Sequence, residues 1–140
     1  MTGRPRILFV CAHDAGLSRM SAAYLDHLAG DRYEALSAGR DPAEHPHPEA
    51  VAAMAEEGIE IADGPGTLLT AELAGSAERI IGMGGDLDSQ ACLPSTAPQE
   101  AWGIPGPEGR PMPEVRVIRD TIRRLVERLV ARLDTEAVVR

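Results

Sequence analysis

Residues 6–20 read RILFVCAHDAGLSRM, and the fold turns on them. Residues 6 to 10, RILFV, form a short apolar run of the kind that suits a strand buried on both faces. Cys11 closes the run, and a small loop with one glycine, Gly16, follows it. From Ser18 the apolar residues Met20, Ala23, Tyr24 and Leu28 recur at helical spacing, and Gly30 ends the stripe. Ser18 has the chemistry of a helix N-cap. A thiol at the end of such a strand faces the positive end of a helix dipole and free backbone N–H groups. Those surroundings favour thiolate over thiol and make a nucleophile that looks onto an anion. A buried structural cysteine is the plainer reading of the same residue.

The pattern repeats outward along the chain. Residues 33 to 37 read as a second strand closed by Ala38-Gly39, and Pro48-Glu49 open a helix through Val51, Met54 and Ala55 that Gly58 stops. Residues 59 to 61 read as a brief extended piece, residues 70 to 74 as a short helix, and residues 78 to 83 (ERIIGM) as a third buried strand. Between Gly84 and Pro113 glycine and proline accumulate and periodicity disappears, which marks a functional or mobile stretch. From Pro113 a long helix carries Val115, Ile118, Ile122, Leu125, Val126, Leu129 and Leu133 on one face, with Arg119, Arg123, Arg124 and Arg128 on its solvated side. Strands alternating with helices predict an α/β fold: a single-domain three-layer sandwich over residues 1–140, with a short parallel sheet of about four strands and helices on both faces. Ligands of such sheets bind beyond the carboxyl ends of the strands, where Cys11 stands.

Composition narrows the function. The chain has 140 residues, 44% hydrophobic but 3% aromatic, so its core is aliphatic and alanine-rich. A net charge of -8 argues against a nucleic-acid backbone binder. No apolar run approaches the roughly 20 residues that cross a bilayer, and the run at residues 7 to 10 is too short for a secretory signal core. Two distant cysteines make no disulfide framework, and a reducing, cytoplasmic setting without membrane contact is the expectation. No cofactor is implied. His45 and His47 flank Pro46 but are too few for a metal site, and Asp86 and Asp88 read as solvated loop residues.

The loop resembles that of the low-molecular-weight protein tyrosine phosphatases, and more closely that of their thioredoxin- or mycothiol-linked arsenate reductase relatives. The reductase loop runs V-C-V-H-N-A-G-R-S-Q-M against V-C-A-H-D-A-G-L-S-R-M here. The likeness continues through LSAGR (36–40), PHPEAVAAMAEEGIEI (46–61), IIGM (80–83) and WGIPGPEG (102–109), in order and over nearly the whole chain. It implies the phosphatase-like fold, Cys11 as nucleophile, and a small oxyanion or other small molecule held by His13, Asp14, Ala15, Gly16, Leu17, Ser18 and Arg19. Trp102 matches the family's aromatic before the late loop, as a wall of the pocket or as core packing. Cys92 matches the second of two redox cysteines in the reductases, while the first falls on Gly85. Cys92 is therefore the candidate to attack Cys11 or an adduct on it, with a lone packed thiol as the alternative. Thioredoxin, mycoredoxin or a low-molecular-weight thiol is the implied partner.

Three departures fall on functional positions. The family's loop arginine is Leu17, its loop asparagine is Asp14, and its general-acid aspartate is Gly106. No neutral side chain reproduces the bidentate arginine clamp on phosphate or arsenate. Asp14 sets a negative charge beside thiolate and oxyanion, and Gly106 donates no proton. Arg19 lies two residues beyond the arginine position, about 3 Å further along a helix axis, and on another face. His13 either tunes the thiolate or bonds to loop backbone. The expected protein is a diverged thiol-nucleophile member with weak phosphatase activity. A non-catalytic member binding a small molecule or protein in the same cleft is the alternative, and a phosphocysteine carrier of the sugar-transport type the third.

Overall fold

In the computed structural model, which describes residues 3–84 and 97–139, the chain runs β1 (Arg6–Cys11), α1 (Leu17–Ala29), β2 (Glu34–Gly39), α2 (Pro48–Ala55), α3 (Ala71–Ser76), β3 (Arg79–Met83), β4 (Gln99–Trp102) and α4 (Met112–Val139). The four strands form one parallel sheet in the order β2-β1-β3-β4. Because side chains alternate along a strand, β1 serves two layers. Ile7, Phe9 and Cys11 join the cluster built with α1, α2 and α4, while Leu8 and Val10 pack with Ala74, Ala77 and Ile80 on the α3 side. Burial on both faces is why RILFV reads as an apolar run and not as an alternating one.

The expected fourth strand lies inside the stretch that lacked periodicity. β4 is an edge strand, with Gln99 and Ala101 exposed and Trp102 alone fully turned inward, so it needs no apolar run. Residues 59–61, by contrast, form no strand. Ile59 and Ile61 are buried anchors, and beyond β2 the sheet gains a single bridge, from Gly39 to Leu68. α2 ends where Gly58 takes φ +73°, and the amide of Ile59 donates to Met54 O at 3.0 Å, the left-handed stop that glycine permits without strain.

The stripe of α4 is buried as its spacing predicts, with Leu125 half-buried at its edge. Arg119 is the correction: it is buried, not part of a solvated face. Its Nη1 donates to Ala53 O at 3.0 Å and to Glu56 Oε1 at 2.7 Å, which satisfies the carboxyl end of α2 from α4. Arg116 bonds the same carboxylate, and the two guanidiniums hold the Glu56 carboxyl down at about 2. Among the described residues no helix is long and apolar enough to cross a membrane.

Candidate active site

Parallel pairing places the site. Cys11 is the last residue of β1 and stands opposite Gly39, the last residue of β2. Beyond both, the chain leaves the sheet, and residues 12–16 turn back into α1. Three loop carbonyls are held from outside: Ala12 O by the Asp41 amide and His13 O by the Ala43 amide, both at 2.9 Å, and Ala15 O by the His47 amide at 2.7 Å. None of the backbone N–H groups of residues 13 to 18 donates to an acceptor among the described residues.

Gly16, not Ser18, is the N-cap of α1, and no side chain caps it. Ser18 sits one residue inside the helix, fully buried, where its hydroxyl has other partners. Ser18 Oγ lies 2.9 Å from Cys11 Sγ and donates to Asp14 Oδ1 at 2.7 Å. Asp14 is itself buried and adopts φ +47°, a left-handed conformation that aspartate tolerates better than most residues. Its Oδ2 accepts the Thr67 amide at 2.8 Å. The backbone around Asp14 is crowded: a Cβ at Gly39 would lie 2.7 Å from its nitrogen, and one at Gly66 would lie 3.0 Å from its own Cβ.

Above the thiol opens a cavity of about 520 Å³, lined by Cys11, Ala12, His13, Ala15, Gly16 and Leu17 from the first turn. Arg40 and His47 line it from beyond β2, Met83 and Gly84 from the end of β3, and Gly106, Pro107 and Glu108 from the loop before α4. The late loop thus folds over the thiol; Pro107 and His47 both approach so closely that a Cβ at Gly16 would meet them at 3.0 Å. Leu17, buried as the first residue of α1, presents an apolar side chain at the arginine position. Gly106 presents no acid, and its carbonyl is bound by Arg110 Nε at 2.7 Å.

The remaining candidates disperse. Arg19 turns away from the cavity and donates to Ala62 O at 3.1 Å and Gly64 O at 2.8 Å, so it braces a loop. His13 is half exposed, with Nδ1 3.0 Å from Asp41 O, the backbone-bonded arrangement. His45 pairs with Asp63, and no group of three metal-ligating side chains occurs among the described residues. Trp102 is a core residue, its ring 5.8 Å from that of Phe9 and its indole nitrogen donating to Glu100, and it does not line the cavity. Gly85, Asp86, Asp88 and Cys92 lie outside the described residues.

Two wall residues, Arg40 and Glu108, belong to no local sequence pattern that marks a site. Arg40 directly follows Gly39, the register partner of Cys11, and makes no hydrogen bond or ion pair with a described residue. The parallel pairing of the two strand ends is what would have found it. Glu108, two residues past the vacant acid position, lies 4.0 Å from His47 Nε2.

Fold and site together define an α/β protein with a thiol at the base of a strand–loop–helix turn. The chain belongs to the low molecular weight phosphotyrosine protein phosphatase family, whose model matches residues 6–139. A putative arsenate reductase of Halobacterium salinarum is 35% identical over 127 residues, 84% of this chain and 85% of that protein. The structure superposes on the thioredoxin-dependent arsenate reductase of Corynebacterium glutamicum with a TM-score of 0.80 and 28% identity, covering 96% of this chain and 64% of that one. It also resembles an arginine phosphatase from Geobacillus stearothermophilus, with a TM-score of 0.77, 28% identity and 96% of each chain covered.

Proposed function

We propose that this chain is a diverged thiol enzyme of the arsenate reductase and phosphatase type, with Cys11 as nucleophile and with phosphomonoester hydrolysis severely slowed. The observation that carries this reading is the pairing of Cys11 at the cavity floor with a buried Leu17 at the family's arginine position. Unengaged loop amides supply neutral donors to an anion above the sulfur, and Arg40 supplies the one wall guanidinium among the described residues. Arginines that clamp a phosphoryl transition state are worth about 10³–10⁵ in rate. A glycine at the acid position forfeits about 10²–10⁴ more, because an alkoxide leaves unprotonated.

Arsenate asks less of an acid. The Cys11 thiolate attacks arsenic and displaces hydroxide, giving a sulfur–arsenic bond. A second thiolate then attacks the Cys11 sulfur, forming a disulfide and passing two electrons to arsenic, which leaves as arsenite. Cys92, thioredoxin, mycoredoxin or a low-molecular-weight thiol are the candidates for that second thiolate. The apolar wall formed by Leu17, Met83 and Pro107 favours the other reading, a member repurposed to hold a small molecule or a partner in this cleft.

One assay separates the two. Arsenate-dependent thiol oxidation is followed with each reductant beside hydrolysis of p-nitrophenyl phosphate, in the wild type and in Cys11→Ser. Slow arsenate turnover that vanishes in Cys11→Ser supports the enzyme, and no Cys11-dependent turnover favours the binder. Phosphate-ester turnover near the enzyme median of about 10 per second would refute the impairment.

A further inference from the structure

We infer that Asp14 reverses the hydrogen bond between Ser18 and Cys11, so that the resting nucleophile is held as a thiol and is released by a proton shift through Ser18 onto Asp14. The inference rests on Cys11 being the reactive group, as proposed above. It follows from counting protons. A hydroxyl has one proton to give, and an ionised carboxylate only accepts. Asp14 Oδ2 is occupied by the Thr67 amide, and Asp14 Oδ1 stands 2.7 Å from Ser18 Oγ. The Ser18 proton therefore points at Asp14. Toward the sulfur, 2.9 Å away, Ser18 has only a lone pair to offer, so Cys11 must be the donor and keep its proton.

A second arrangement contains the same protons and the same single negative charge. As the S–H proton moves to Ser18 Oγ, the Ser18 proton moves to Asp14 Oδ1, leaving a neutral carboxylic acid and a thiolate. No proton enters or leaves, and the thiolate then has Ser18 as its donor. Carboxylic acids are stronger than thiols by about four to five pH units in water, so the thiol arrangement is the resting one. Asparagine at this position would behave otherwise. Its carbonyl would accept the Thr67 amide, its NH₂ would donate to Ser18 Oγ, and the Ser18 proton would be free for the sulfur. Asp14 is thus a positioning residue that sets the polarity of the chain of bonds.

Other groups face the same space and stay constant in the comparison. His13 comes from the loop, Arg40 from beyond β2, His47 from the start of α2 and Glu108 from the late loop, while α1 contributes Leu17 and β3 leads into Met83 and Gly84. Among the described residues Cys11 Sγ hydrogen-bonds to Ser18 alone.

The test is iodoacetamide alkylation of the full chain, read on the Cys11 peptide so that Cys92 does not contribute, from about pH 5 to about pH 10. Asp14→Asn should move the midpoint of the profile to lower pH by about one unit or more. One unit gives about tenfold more thiolate at neutral pH. A nucleophilicity coefficient of about 0.4–0.5 takes back about threefold of that, leaving alkylation about threefold faster. In a Ser18→Ala background the Asp14→Asn shift should shrink to the part that loss of the carboxylate charge gives on its own. A second readout needs no change at Asp14: the wild type at neutral pH should show an S–H stretching band in the infrared that is lost in Cys11→Ser. An unmoved or raised midpoint in Asp14→Asn, a shift undiminished without Ser18, or a missing S–H band would each overturn the inference while leaving the nucleophile in place. Failure to alkylate Cys11 at any pH would remove the nucleophile itself.

Discussion

Restoring the lost charges should restore oxyanion chemistry, and the structure indicates how much each change costs. The perturbation is Leu17→Arg with Asp14→Asn and Gly106→Asp. At Gly106 no atom lies within 4 Å of a Cβ built there, so aspartate enters open space on the cavity wall. At position 17 the new side chain gives up the burial of a leucine that is 5% exposed, a loss of at most about 1.5–3 kcal/mol, part of which the arginine stem recovers. For a chain of this size that is a fall in Tm of at most about 5–10 °C, which a folded domain survives. Against this stand about 10³–10⁵ in rate from the arginine and about 10²–10⁴ from the acid. The groups act on one transition state, so their effects do not multiply, and a gain of about 10³ in kcat/KM is the expected floor for the triple variant. Leu17→Arg alone should gain much less, because Asp14 lies within the same turn and competes for the guanidinium. p-Nitrophenyl phosphate reports the arginine, and phenyl phosphate, whose leaving group needs a proton, reports the aspartate. A triple variant that retains its circular dichroism and melts cooperatively, yet neither binds vanadate nor approaches that gain in kcat/KM, would overturn this account. The cleft would then differ from its relatives in shape and not merely in charge.

Two further outcomes follow from other contacts. Arg40→Ala should weaken phosphate or vanadate binding by about tenfold while leaving Tm within about 2 °C, since this exposed guanidinium has no partner among the described residues; isothermal titration at matched salt measures it, and unchanged affinity would exclude Arg40 from the site. Glu56→Gln should lower Tm at neutral pH and flatten its acid limb. The Glu56 carboxyl sits at about 2 in the folded chain, below its ordinary 4.5, so the stability it confers is complete above about 4.5 and lost as pH falls toward 2. Thermal melts of the two proteins should therefore converge near pH 2, and parallel curves would show that the Arg116 and Arg119 contacts with Glu56 are not the cause.

What the sequence discloses depends on whether a residue's role is local. β1, β3 and the long helix are legible because each buries a continuous stripe, and a stripe is a property of neighbouring residues. β4 escaped because an edge strand is half polar, with Glu100 committed to Arg132 and to the Trp102 indole. Leu17 at the family's arginine position and Gly106 at its acid position were legible only through the resemblance to the family's motifs. The Ser18 reading failed for a different reason: a serine near a helix start suits capping, and only three dimensions show its hydroxyl drawn to Asp14 and Cys11. Arg40 and Thr67 reach the site from beyond β2, and no local pattern announces such convergence.

The bond from Thr67 to Asp14 ties the loop around Cys11 to a chain segment remote in sequence. That amide proton is consequently a built-in gauge. Its exchange with deuterium requires the Asp14 carboxylate to let go, so an exchange rate or chemical shift at Thr67 reports the opening and the ionisation of the nucleophile's surroundings without a label on the loop itself. Titrating phosphate, arsenate or a partner protein while watching this one resonance would show which of them the site feels.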